Sequence, residues 1–143
     1  METAFQVANM LVFPQWMLMI FAPQWKGTQW LVKSYLVPAL LACLYAYYIF
    51  SGAPLDFNDF STLAGIKNLF AKGGDTALLA GWIHYLAFDL VAGSVVLQDA
   101  QRKNITHFWI ILPLVFCFML GPVGLLMYWL VRLFKTKQIA GEN

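Results

Sequence analysis

The chain has 143 residues, of which 61% are hydrophobic and only 11% are charged. That is too little charge to coat a water-soluble domain of this length, so the composition points to one integral membrane domain over 1–143. A net charge of +2 gives no basic field for nucleic acid, and two isolated cysteines, Cys43 and Cys117, form neither a disulfide framework nor a CxxC site.

A hydrocarbon layer of about 30 Å needs roughly 20 mostly apolar residues per helix. Four stretches meet that length, at about 4–22, 34–52, 76–97 and 108–131. They predict an all-α fold, an integral membrane four-helix bundle. The start, METAFQVANM, has no basic region and no small-residue cleavage site, so it does not read as a signal peptide. The simplest address is a bacterial plasma membrane.

The first span holds Asn9, Pro14 and Gln15, and its two amides are candidate donors into the bundle interior. Between the first two spans, Trp25, Lys26, Trp30 and Lys33 suit a headgroup layer. The connection 53–75 is the longest. Phe60, Leu63, Ile66 and Phe70 fall on one helical face there, with Asp59 as a candidate cap and Gly73-Gly74 as a terminator. This pattern predicts a short interfacial amphipathic helix between spans two and three. With four crossings, both termini share a side with 53–75. Lysine and arginine then divide five against four, which sets no orientation.

The third span carries GWIHYLAFDL at 81–90. His84 and Asp89 both lie within about 5 Å of its midpoint along the axis. An aspartate there costs roughly 2.5–3.5 kcal/mol on insertion scales, so it needs a partner, a proton or a polar cavity. Tyr85 and Asp89 are four apart and can touch, whereas His84 lies 140° around the helix from Asp89. His84, Asp89 and Tyr85 are therefore the candidate catalytic groups, expected to share a polar chamber deep in the bundle. The plain alternative is a carboxyl bonded to a neighbouring helix and a satisfied core histidine.

The fourth span contains Gly121-Pro122-Val123-Gly124. Pro122 has no N–H, so it kinks the helix and releases the carbonyl of Phe118 toward the same chamber. Trp82, Phe88, Asn9, Gln15, Gly121, Pro122 and Tyr128 are candidate substrate contacts, with Trp129 in the same aromatic lining. Asp99, His107 and Arg132 form a candidate polar rim. Two histidines 23 residues apart, on different elements, give only weak support to a metal site, and no cofactor motif is present, so neither a metal nor a cofactor is expected.

The segments GWIHYLAFDL (81–90) and GPVGLLMYWLVR (121–132), with ANMLVFPQW (8–16) and MIFAPQWKGTQ (19–29), resemble a small membrane family. It includes the plant abscisic-acid-deficient, neoxanthin-synthase-like proteins and many bacterial homologues. The segment VAGSVVLQDA (91–100) departs from the family pattern. The resemblance implies a carotenoid or other isoprenoid as ligand, and a non-redox isomerisation that opens an epoxide while a vinylic proton leaves. A protonated Asp89 and a neutral His84 would suit the acid and base roles, in either assignment. Two other readings stand beside this one. One is a non-catalytic membrane subunit of an isoprenoid-pathway enzyme, with a protein partner; the other is a small transporter, which would need a homo-oligomer.

Overall fold

A computed structural model describes residues 1–137. It is all helical, with five α-helices: α1 Glu2–Phe21, α2 Lys26–Ser34, α3 Leu36–Ser51, α4 Leu63–Arg102 and α5 Phe108–Thr136. A short 3-10 helix, Phe57–Ser61, precedes α4. By length and composition four stretches can cross a membrane: α1, α2 with α3, α4, and α5. The integral membrane, all-α expectation holds.

The joints have local causes. Helix α1 stops at Ala22 because Pro23 disfavours helical geometry in the residue before it. The Thr28 hydroxyl donates to the carbonyl of Ala22 and the Gln29 amide to that of Pro23, which folds α2 back over the joint. Tyr35 takes a left-handed conformation (φ 51°) and separates α2 from α3. The stretch 26–34, expected as a connection, is thus a helix of its own. It is amphipathic, burying Thr28 and Val32 while Lys26, Trp30 and Lys33 face outward.

Residues 63–73 are helical, as predicted, but the cap is Thr62 rather than Asp59. The Thr62 hydroxyl accepts from the Gly65 N–H at 3.0 Å, while Asp59 pairs with Lys72 at 3.4 Å. Gly74 ends this limb with φ 52°, a backbone state that costs glycine nothing. The chain then runs as one helix through 75–102.

This long limb is the hub of the molecule. Leu79, Ile83, Leu86, Leu90, Val96, Leu97 and Ala100 are buried along it, and it packs against α1, α3 and α5. Helix α1 runs parallel to it, from Met1 beside Thr76 to the Ile20 carbonyl at His107. The Trp16 ring occupies the place where Gly93 lacks a side chain. Helix α3 descends antiparallel, with Tyr35 beside Gln98, Tyr45 beside His84 and Gly52 beside Thr76. Helices α3 and α5 do not approach each other, so a seam stays open along α4 between them.

Helix α5 departs from expectation. It breaks at Leu120 (φ −150°, ψ 59°), and its halves lie side by side. The Lys135 ammonium sits 3.7 Å from the centre of the Trp109 ring, although a straight helix would part these residues by about 39 Å. Gly124 packs on the Pro113 carbonyl and the Cys117 backbone, so its missing side chain is what lets the arms meet. Residues 108–119 form a first arm of about 18 Å and 121–136 a second of about 24 Å. The proline-induced kink expected at 122 is instead a reversal. Pro122 falls in the first turn of the second arm, where a missing N–H costs little.

Candidate functional site

The tip of the α5 hairpin meets α4 at Asp89. A helix that stops at 119 and restarts at 121 leaves carbonyls of the first arm and N–H groups of the second without intrahelical partners. In lipid such groups need protein partners. Two side chains of α4, one turn apart, supply them. Asp89 Oδ2 accepts from the Gly121 N–H at 3.3 Å, and the Tyr85 hydroxyl donates to the Met119 carbonyl.

Asp89 is buried, and its carboxyl lies against Gly121 so closely that a β-carbon there would overlap it. The Tyr85 hydroxyl lies beside the same carboxyl. The ion pairs among the described residues, Lys72–Asp59 and Arg132–Asp99, do not involve it. Asp89 therefore faces the amino end of the second arm, the arrangement by which helix starts hold anions. One carboxyl, one phenol and an open backbone turn together offer proton donors and acceptors, with the carboxyl buried and the phenol half-buried.

The expected partnership of His84 with Asp89 is not present. His84 is exposed on the outside of the bundle, its ring 5.5 Å from that of Tyr45 and 4.7 Å from that of Phe88. Asp89 points to α5 and His84 to the seam beside α3, so no single chamber holds both. Phe88 is exposed on that same seam.

The remaining candidates fall into three groups. Trp82 contacts the Phe5 and Tyr85 rings, and its indole N–H donates to Asn9 Oδ1 at 3.3 Å. This places Trp82 and Asn9 one layer from Tyr85. Gln15 is 1% exposed and donates to Ser94 Oγ at 3.3 Å, while its Oε1 has no hydrogen-bond partner. Nearer the end of α4, the Tyr128 hydroxyl donates to Asp99 Oδ2 at 2.7 Å, and Arg132 approaches the same oxygen at 3.4 Å. Tyr128 thus belongs with Asp99 and Arg132, away from Asp89. His107 stands apart from them and donates to the Ile20 carbonyl at 2.8 Å. Pro122 and Trp129 lie on the exterior.

Two participants were not predicted. Ser94 is a buried hydroxyl in an apolar run, a signal visible in the sequence. Met119 takes part through its carbonyl, for which no side-chain signal exists. No group of three or more His, Cys, Asp or Glu side chains suited to a metal ion occurs among the described residues.

The model of a family described as ABA DEFICIENT 4-like matches residues 3–128. The chain is 29% identical to Protein ABA DEFICIENT 4, chloroplastic, of Arabidopsis thaliana, over 96% of this chain and 64% of that protein. It thus spans a little under two thirds of the relative's length. No solved structure matches.

Proposed function

The chain belongs to the ABA DEFICIENT 4-like family, and from that membership we propose that it is a carotenoid-related membrane protein that isomerises an epoxide of a polyene or similar isoprenoid without redox change. The observation that carries this reading is the carboxyl of Asp89, buried at mid-span beside a phenol and an interrupted helix. In such a reaction the epoxide C–O bond breaks, a vinylic C–H loses its proton, and an allene forms. The oxygen gains a proton, so atoms and electrons balance within the substrate. Asp89 would deliver or accept the proton, and Tyr85 would stand as the second proton-bearing group. The exposed position of His84 favours a ligand contact on the seam over an acid–base role. A bacterial plasma membrane remains the proposed address.

The test is expression in a carotenoid-producing host with pigment analysis of the membrane extract and the purified protein. A new isomer is expected from the parent chain and should be absent with Asp89→Asn. That variant keeps an oxygen for the Gly121 N–H, so its folded amount should be unchanged. Pigment retained without a new isomer reduces the reading to binding.

A second reading is a non-catalytic subunit of an isoprenoid-pathway enzyme. It draws on the fact that Asp89 and Tyr85 already bond to the broken helix α5. On that reading there is neither isomer nor bound pigment, and a partner co-purifies in mild detergent.

A further inference from the structure

The hairpin in α5 changes how charge is divided between the two ends of the bundle. One end gathers the joint at 22–35, the loop at 103–107 and Lys137. Gln29 bonds Gln101, Gln98 bonds Tyr35, His107 bonds the Ile20 carbonyl, and Lys135 covers Trp109. The other end gathers Met1, the turn after α3 and the limb 63–73, through Met1 with Thr76 and Asp59 with Lys72.

Neither arm of α5 spans a layer of about 30 Å, since they measure about 18 and 24 Å. Their shared tip is held at Asp89, near the middle of the 75–102 limb. The second arm climbs back beside α4, which is why Tyr128 and Arg132 reach Asp99 rather than residues near 80. An interrupted backbone at that depth is permitted because α4 satisfies it.

Tracing the chain this way puts Lys26, Lys33, Arg102, Lys103, Arg132, Lys135 and Lys137 at the first end. Only Lys67 and Lys72 remain at the other, together with Glu2, Asp56, Asp59 and Asp75. The five-to-four division expected from four crossings becomes seven to two. Trp25 and Trp30 are exposed beside the lysines, as side chains at a headgroup layer are.

We infer that α5 enters and leaves the bilayer from one face, that Met1 and Lys137 lie on opposite sides of the membrane, and that the basic end docks on the anionic headgroups of the cytoplasmic leaflet. Charge complementarity carries the choice of partner, because lysine and arginine near span ends set orientation and are drawn to anionic lipid.

The experiment uses the full chain in a bacterial host, with single added cysteines at Asn58→Cys, Gln24→Cys and Lys137→Cys. The parent chain, with Cys43 and Cys117, gives the background. A membrane-impermeant maleimide is applied to intact spheroplasts and again after lysis. Asn58→Cys should label in intact cells, and the other two only after lysis. If Lys137→Cys behaves like Asn58→Cys, then α5 crosses and the inference fails. If Gln24→Cys and Lys137→Cys label together in intact cells, the orientation is overturned. A further variant carries glutamine at Lys26, Lys33, Lys103, Lys135 and Lys137. It should give a mixed population in the same assay, and a single retained orientation would overturn the role given to charge.

Discussion

Gly121 and Gly81 make a controlled pair at the scale of single residues. Each is a glycine in an apolar helix, Gly121 marked in the sequence by the proline after it and Gly81 by nothing comparable. At Gly121 an added methyl would collide with the Asp89 carboxyl, which cannot retreat without giving up the Gly121 N–H. At Gly81 the same methyl would meet only the edge of the Phe70 ring at 3.4 Å, an ordinary contact. Overpacking a filled interior typically costs about 1–3 kcal/mol. Gly121→Ala should therefore lower the thermal midpoint and folded yield in detergent, while Gly81→Ala stays near the parent. Equal behaviour of the two would mean that the carboxyl is not seated against the hairpin tip. That Asp89 needs a partner was readable at this scale, since a mid-span aspartate cannot stand alone in lipid. Which partner it takes was not readable. The 140° between His84 and Asp89 is plain from numbering, but only the placement of α3 and α5 decides that the two face different neighbours.

At the scale of elements, α5 is the instructive case. Of its 29 residues, 108–131 carry no charge, and two half-helices packed in lipid have the same composition as one complete span. Hydropathy therefore identifies the segment and cannot see the reversal. The GPVG run is visible at 121–124, yet a proline inside a long apolar helix more often kinks than ends it. What closes the hairpin lies elsewhere: Tyr85 and Asp89 on α4 take up the broken backbone, and Gly124 lets the arms touch. The joint at 26–34 hides its helix for a related reason, because nine residues between two apolar runs read as a loop. A short bifunctional maleimide should cross-link Trp109→Cys to Lys135→Cys within one chain, detected by mass spectrometry of the linked peptide. A straight α5 would hold those positions about 39 Å apart and give no intrachain product.

At the scale of the whole molecule, stability should be graded outward from α4. Its central stretch is covered by α1, α3 and α5 and holds the fully buried Ile83, Leu90, Val96 and Leu97. Its first limb, 63–73, lies beyond the Gly74 break, touches the 3-10 helix through Gly65 and Lys72 against Asp59, and leaves Leu63 and Phe70 exposed. Opening free energies fall where buried apolar contact is sparse, so these two parts of one nominal helix should separate in amide exchange. Deuterium uptake in one detergent, followed by mass spectrometry, should be slowest for peptides within 83–97 and much faster for 63–73. Peptides of α2 should fall between, because Thr28 and Val32 anchor one face while Trp30 and Lys33 face outward. Detergent shields any apolar helix, so the informative comparison is between segments of the same chain rather than with a soluble protein. If 63–73 exchanges as slowly as 83–97, Gly74 is not a mechanical boundary, and the first limb belongs to the same cooperative unit as the hub.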